Sequence, residues 1–337
     1  MSGRSIAILG AGSWGSALGH VLARNGHRPT LWAHDPEVAE TIRQTGHNDR
    51  YLPGIALHAE LAVTADLAGS LEGADVVVCA TPSHAVREIL EAARDGFPPG
   101  VLFISGSKGI EITTGSRMSE VVGAVLGEQV ADELVVLSGP SFALELARGL
   151  PTAVAAASRS RECAAECQDL FQNDHFRIYT GRDVVGTELG GALKNVMALA
   201  AGISDGLELG ANARAALLTR GLAEIVRLAV GLGAEEHTLS GLAGVGDLIL
   251  TCTGDLSRNR RAGLAIGRGS SLQAALEEVR MVVEGVPTSR AAHGLALRHG
   301  VEMPIVRAVY SILFEDVGPR EALAELMARE PKPERWS

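Results

Sequence analysis

Two lysines, one aspartate and one basic turn are the residues of this 337-residue chain whose types and settings suit chemistry. Lys194 lies in Gly186-Thr-Glu-Leu-Gly-Gly-Ala-Leu-Lys-Asn195, near the start of a small-residue apolar run that continues Val-Met-Ala-Leu-Ala-Ala-Gly. An ammonium buried among Ala, Leu and Gly must be paired or give up its proton. A lysine so placed, followed by an amide (Asn195) able to orient it, is a candidate proton-transfer group. The plainer reading is a lysine that snorkels to solvent. Lys108, in Gly106-Ser-Lys-Gly-Ile110, follows an apolar run and points into a crevice, or else stands as a solvated loop residue. Asp247, ahead of Leu-Ile-Leu, is expected to be partly buried and so needs a cation or donor; Lys194 is its natural partner. Ser257-Arg258-Asn259-Arg260-Arg261 sets a hydroxyl, guanidinium groups and an amide just ahead of a helical Ala-Gly-Leu-Ala-Ile. That combination suits a phosphate or another dianion. In a chain of formal charge −10 it also reads as a solvated basic turn.

These groups need elements to hold them. Residues 4–10, Arg-Ser-Ile-Ala-Ile-Leu-Gly, have the pattern of a buried parallel strand. Gly10-Ala-Gly12-Ser-Trp-Gly15 follows, then a helical period to Gly26 and a second strand over Pro29–Ala33. Between a strand and a helix, Gly10, Gly12 and Gly15 form a tight turn, let backbone N–H groups approach a pyrophosphate and pack helix on strand. The alternative is a glycine-rich turn without a ligand. At the end of the second strand Asp35 is followed by Pro36 and reads as the cap of the next helix. His34 then faces the ribose, where it tolerates a 2′-phosphate, so the choice between NAD and NADP stays open. The polar loop 47–54, which contains Tyr51, suits a cover over the nucleotide pocket.

Further strands are expected at 61–65, 75–80, 101–105, 134–137, 152–157 and 176–179. Helices are expected from Ser83, from Ser138–Ala143 with Ser141 as cap, and over 161–172. From there the periodicity is helical, at 189–203, 211–230, 271–279, 288–299 and 304–314, with a polar loop over 241–261. The expected class is α/β: a Rossmann-like N-terminal domain (1–186) followed by an all-α C-terminal, substrate-binding domain (187–337).

Composition narrows the function. The chain is 46% hydrophobic and 21% charged with 40 glycines, as suits an α/β protein with close helix packing. No uninterrupted apolar run is long enough to span a membrane. Met-Ser-Gly-Arg-Ser leads directly into the first strand, so no signal peptide is expected. Cys79, Cys163, Cys167 and Cys252 are scattered and complete no ligand cluster, so no metal is expected and reduced thiols in the cytoplasm are. The negative charge opposes nucleic acid or stable membrane partners, so an anionic ligand needs a locally positive pocket. The tail from Glu330 to Trp336 reads as loose.

In order and spacing the segments resemble the bacterial-type NAD(P)-dependent glycerol-3-phosphate dehydrogenases over almost the whole chain. The matching stretches are Gly-Ala-Gly-Ser-Trp-Gly (10–15), Leu-Trp-x-His-Asp-Pro-Glu (31–37), Ser-Lys-Gly-Ile (107–110) and Ser-Gly-Pro-Ser-Phe-Ala (138–143). Further on they are Glu-Leu-Gly-Gly-Ala-Leu-Lys-Asn-Val (188–196), Asn-Ala-Arg-Ala-Ala-Leu-Leu-Thr-Arg-Gly (212–221), Gly-Asp-Leu-Ile-Leu-Thr-Cys-Thr (246–253), Ser-Arg-Asn-Arg (257–260) and Val-Val-Glu-Gly (282–285). The resemblance implies reversible hydride transfer between sn-glycerol 3-phosphate and dihydroxyacetone phosphate, for phospholipid synthesis, in a homodimer. It implies that Lys194 exchanges the proton, that Lys108 and Asp247 bind and polarise the substrate, and that Ser257, Arg258 and Asn259 lie along its phosphate. Gly139 and Ser141 would contact substrate. Ser13, Trp14, His34, Tyr51, Lys108, Ala143, Arg258, Val282 and Glu284 would line the cofactor together with the glycine loop. Some relatives carry Thr at the Ser141 position, many carry Tyr at that of Trp14, and the His34 position varies between His and Arg. Rival readings are a dehydrogenase of another hydroxy acid or sugar acid, and a non-catalytic nucleotide sensor.

Overall fold

The computed structural model describes residues 3–331 and 334. Eight strands form one sheet: β1 (Ser5–Leu9), β2 (Arg28–Trp32), β3 (Ala62–Thr64), β4 (Val76–Cys79), β5 (Leu102–Ser105), β6 (Val135–Ser138), β7 (Thr152–Ala157) and β8 (Phe176–Gly181). Their spatial order is β3-β2-β1-β4-β5-β6-β7-β8. All neighbours run parallel except β6 and β7. The chain winds outward from β1 to β3, then returns to pair β4 with the other side of β1. That reversal opens a crevice beyond the carboxyl ends of β1 and β4, where ligands of open α/β sheets bind. The continuous apolar runs of β4, β5 and β6 are buried throughout because helices cover both faces of the sheet. This is a Rossmann-like N-terminal unit. Among the described residues every strand precedes residue 182, and the remainder is helical.

The helical part is built around one long helix, Val184–Gly206, buried along nearly its whole length. It begins earlier than Leu189 because Asp183 caps it, Oδ1 accepting from Gly186 N at 2.8 Å. Its small residues let other backbones come close. A Cβ on Gly202 would fall on Arg260 O, and one on Gly263 would fall on Leu199 O. Gly206 and Gly267 repeat the contact one turn further on. Helix Arg258–Gly267 is therefore seated backbone to backbone on the Lys194 helix, and any side chain at these glycines would push the two apart.

Two expectations change. Residues 241–261 do not form a loop. Leu242–Gly246 is a π-type turn, Asp247–Thr253 is helical, and a new helix starts at Arg258 with Ser257 as cap, its Oγ accepting from Arg260 N at 3.2 Å. The turn residues in that stretch disguise the helical spacing of Leu248 and Cys252, which are buried in the helical core. Ser141 is also not a cap. The short helix Ala143–Ala147 starts after Phe142, and Ser141 Oγ instead donates to Gly139 O at 3.0 Å. Asp35 does cap helix Pro36–Thr45, as expected. Of the C-terminal tail, Lys332, Pro333, Arg335, Trp336 and Ser337 lie outside the described residues. No helix among the described residues is long and apolar enough to cross a membrane.

Glu224, on helix Gly210–Gly231, shows how the helical part is tied. Its carboxylate accepts from Ile305 N at 2.7 Å and Val306 N at 3.2 Å, the first turn of helix Pro304–Phe314. Burial pushes its pKa up to about 7, against the pull of those N–H groups and of Arg227 and Arg329. The folded state therefore takes up a proton between the ordinary carboxylate range and about pH 7, so this site's contribution to stability falls as pH rises through that window. Urea unfolding at pH 5 and pH 7.5 should show that loss in the wild type, up to about 3 kcal/mol. Glu224→Gln, which cannot titrate, should remove most of this pH dependence.

Candidate active site

Lys108 leaves the end of β5, Gly139 the end of β6, Lys194 the buried helix, and Asp247 the first turn of helix Asp247–Thr253. They meet in one place. Lys108 Nζ donates to Asp247 Oδ2 at 2.8 Å and to Gly139 O at 3.2 Å. Lys194 Nζ donates to the other carboxylate oxygen, Asp247 Oδ1. Thr251 Oγ1, which donates to Asp247 O at 2.6 Å, stands beside that oxygen. Asp247 is 1% exposed and Lys194 7%. Lys194 is thus paired rather than snorkelling, and its partner is the one expected. Two ammonium groups around one carboxylate leave the cluster positive, which meets the need for a local cationic pocket in an acidic chain. Burial drives the Lys194 pKa down to about 7; Asp247 raises it and Lys108 lowers it.

The basic turn divides its labour. Arg260 turns away to Asp205, with Nε 2.9 Å from Oδ2, and to Asp255. Asp205 is in turn held by Arg214. Arg261 is exposed. Arg258, next to Asn259, is half-buried and its side chain donates to no described residue. Burial lowers its pKa and the field of Glu284 opposes that shift. Asn259 is buried, with Nδ2 donating to Asn195 Oδ1 at 2.9 Å and Oδ1 accepting from Gly285 N at 2.8 Å. Asn195 therefore orients Asn259 rather than Lys194. This amide relay joins the Lys194 helix, the basic turn and the segment carrying Val282 and Glu284.

Of the residues expected around a cofactor, Gly10, Gly12, Ser13, Trp14 and Gly15 stand at the carboxyl end of β1. Gly10 has φ +114°, and a Cβ there would meet Ala80 O at 3.0 Å. Gly15 sits against Gly10 O, where a side chain would clash. Gly12 caps helix Ser13–Arg24 without a side chain and has open space beside it. The helix N–H groups thus face a clear approach, and a dinucleotide diphosphate fits there. Trp14 Nε1, buried without a hydrogen-bond partner, packs against Gly106 at the same edge. Ser13 Oγ donates to Tyr51 O at 2.5 Å and ties the 47–54 loop over the turn. Asp35 accepts from Glu37 N and from Arg50 Nη1 at 2.9 Å, while His34 is exposed against Trp32. Ala143 opens its short helix, and Val282 is 38% exposed.

Several contributing residues escaped the sequence. Asn48 is buried and donates to Ala11 O at 2.9 Å and Ser16 Oγ at 2.8 Å, fixing the glycine turn. Asp205 has no signal pointing to Arg260, which lies 55 residues on, and Ser83 reads only as a helix start, its partner Glu284 lying 201 residues on. Buried Glu188, on the Lys194 helix, accepts from Ser119 N, Ser119 Oγ and Arg117 Nη1, each at 2.7 Å. Among the described residues no cluster of three or more His, Cys, Asp or Glu is arranged to hold a metal.

The sheet, its glycine turn and the buried lysine–aspartate–lysine cluster define a dinucleotide-dependent oxidoreductase. Residues 5–164 match the family model of the NAD-dependent glycerol-3-phosphate dehydrogenase N-terminus, and residues 183–324 that of its C-terminus. The chain belongs to the NAD-dependent glycerol-3-phosphate dehydrogenase family. It is 53% identical over 333 residues to glycerol-3-phosphate dehydrogenase (NAD(P)+) of Geobacter metallireducens, covering 99% of both chains. It is 52% identical over 327 residues to the enzyme of the same name from Anaeromyxobacter dehalogenans, covering 97% of this chain and 98% of the relative. The crystal structure of glycerol-3-phosphate dehydrogenase from Coxiella burnetii superposes with a TM-score of 0.94 at 41% identity, covering 98% of this chain and 100% of that one.

Replacing the central carboxylate tests the cluster. Asp247→Asn leaves buried Lys194 and half-buried Lys108 without their counter-charge, and at pH 6 it should cost about 3–5 kcal/mol of stability. The Lys194 pKa lies below its ordinary 10.5, so the unfolded chain binds more protons above about pH 7 and stability rises with pH in that window. Asp247 raises the Lys194 pKa, so its loss lowers that pKa further and the wild-type advantage disappears as Lys194 itself deprotonates. The deficit of the variant in thermal or urea unfolding should therefore shrink between pH 6 and pH 9.

Proposed function

We propose that this protein catalyses the reversible NAD(P)H-dependent reduction of dihydroxyacetone phosphate to sn-glycerol 3-phosphate, a precursor for glycerophospholipid synthesis. The observation that carries the reading is the Lys194–Asp247–Lys108 cluster, with Arg258, which donates to no described residue, tied to the Lys194 helix through its neighbour Asn259 and Asn195. A nicotinamide dinucleotide held at the Gly10–Gly15 turn would supply or take up the hydride. Everything else falls to the chain. Lys194 in its ammonium form gives a proton to the ketone oxygen as that oxygen gains negative charge. Lys108, aimed by Asp247 and Gly139 O, stabilises the developing alkoxide, and the low dielectric of the site strengthens that contact. Ser257, Arg258 and Asn259 hold the phosphate, and Gly139 and Ser141 border the substrate. Binding energy from the phosphate, remote from the reacting carbon, is used to fix the ketone in place. In the oxidation direction neutral Lys194 accepts the alcohol proton.

Gly10, Gly12, Ser13, Trp14, Gly15, Tyr51, Lys108, Ala143, Arg258, Val282 and Glu284 would line the dinucleotide. The coenzyme is NAD or NADP: Asp35 is committed to its helix and to Arg50, and exposed His34 accommodates a 2′-hydroxyl or a 2′-phosphate alike. The division into 1–186 for the nucleotide and 187–337 for the substrate is supported by the last strand ending at Gly181. A homodimer in the cytoplasm is supported by exposed apolar residues on the helical part, Val230, Ile249, Leu256 and Leu297 among them, and by four free cysteines.

Initial rates with NADH and NADPH against dihydroxyacetone phosphate test the function directly. Free dihydroxyacetone should be a far poorer substrate, and equal rates with both ketones would refute the phosphate assignment. Lys194→Ala should lose about 10²–10⁴-fold in kcat while still binding coenzyme. A second expectation follows from the lowered Lys194 pKa. The kcat/KM for ketone reduction should fall as pH rises through about 7, and that for alcohol oxidation should rise over the same range. Parallel slopes in both directions would remove Lys194 as the proton carrier.

A further inference from the structure

Ser83 follows β4 beyond the carboxyl edge of the sheet and opens the 3-10 turn Ser83–Ala85 that leads into helix Val86–Ala93. Neither Pro82 nor Ala85 caps this start with a side chain. The acceptor comes instead from the helical part of the molecule. Glu284 Oε1 accepts from Ser83 N at 3.1 Å, and Oε2 accepts from Ser83 Oγ at 2.7 Å. Ser83 is 3% exposed, so this contact is made away from bulk water. Gly109 makes room for it. A Cβ there would run into Ser83 Oγ and Cβ and would stand 3.3 Å from Glu284 Oε2. The glycine beside Lys108 thus has a steric reason.

Gly285 N donates to Asn259 Oδ1 at 2.8 Å, which brings Glu284 to the turn of Arg258, and the charge of that carboxylate acts on Arg258, which donates to no described residue. That is an unusual pairing choice. A guanidinium–carboxylate pair is ordinarily stronger than a carboxylate accepting from one hydroxyl and one amide. A Glu284 free to turn to Arg258 would neutralise it and compete with an incoming dianion. Two bonds from Ser83 hold it elsewhere.

We propose that Ser83 is a positioning residue for anion recognition: by binding the Glu284 carboxylate through its N–H and hydroxyl, it keeps that carboxylate off Arg258 and leaves the guanidinium for the substrate phosphate. The inference rests on the assignment of Arg258 to phosphate made above. It predicts that loss of the hydroxyl acts on affinity for the anion and not on the chemical step.

The test compares the wild type with Ser83→Ala, Ser83→Thr, Glu284→Gln and the double variant Ser83→Ala/Glu284→Gln. Inorganic phosphate binding is read by calorimetry, and KM and kcat for dihydroxyacetone phosphate are read at saturating coenzyme. Ser83→Ala should weaken phosphate binding and raise KM by about tenfold, with kcat within about twofold, as loss of one charge-assisted contact implies. Ser83→Thr keeps the hydroxyl and should stay near wild type. The double variant should bind phosphate more tightly than Ser83→Ala, because an amide at position 284 cannot neutralise Arg258; Glu284→Gln alone, which also alters a side chain assigned to the coenzyme, is the baseline for the double variant. Unchanged phosphate affinity in Ser83→Ala, or a double variant no better than the single, would overturn the inference. A wild type that binds phosphate in a Ser83-dependent way yet leaves dihydroxyacetone phosphate untouched would refute the substrate and keep the Ser83 role. An active wild type whose phosphate affinity ignores Ser83 would do the reverse.

Discussion

The structure turns on one carboxylate held between two ammonium groups out of water. Asp247 is all but fully buried, and without Lys108 and Lys194 its charge would be prohibitive there. The same holds in reverse for Lys194. Each partner thus makes the burial of the others tolerable, and the cluster forms only if three distant elements arrive together: the end of β5, the long buried helix and the turn that opens helix Asp247–Thr253. Burial then does chemical work, since desolvation and the neighbouring lysine bring the Lys194 proton into the range where an enzyme exchanges it near neutral pH.

The surroundings keep that cluster from relaxing. Glycines at 202, 206, 263 and 267 bring the helix of Arg258 into backbone contact with the helix of Lys194. Asp205 then engages Arg260, and the Asn195–Asn259–Gly285 relay fixes the turn from its other side. Of the arginines in the turn, one is held by acidic partners, one faces solvent, and Arg258 remains for a ligand. The apparent surplus of positive charge at 257–261 is therefore mostly structural. Its useful part is small and directed.

Much of the site was legible because its chemistry is unusual for its neighbours. A lysine in an Ala/Gly/Leu run, an aspartate ahead of Leu-Ile-Leu, and a glycine turn between strand and helix each break a local preference, and such breaks need a reason. The helical nature of 247–253 was hidden by the glycines and polar residues around it, since its burial is settled by the Lys194 helix packed against it. Ser141 looked like a cap because a hydroxyl ahead of an apolar run usually is one. It bonds Gly139 O instead, since the helix begins beyond Phe142. Asn48 carries no sequence signal, because a lone polar residue in a loop is ordinarily solvated, and Ser83 reads as a helix start with nothing to show its bond to Glu284.

The amino-acid order by itself determined the α/β class, the nucleotide turn at Gly10–Gly15, the change to helices in the second half and the candidacy of Lys194, Lys108, Asp247 and the basic turn at 257–261. These follow from periodicity and from residue types that act over a few neighbours. Only the tertiary structure decided most of the pairing: Lys108 as the second partner of Asp247, Arg260 with Asp205, Glu284 with Ser83, and Arg258 with no described residue. Pairing depends on distances across dozens to hundreds of residues, and on which groups lose water together. No local pattern encodes either.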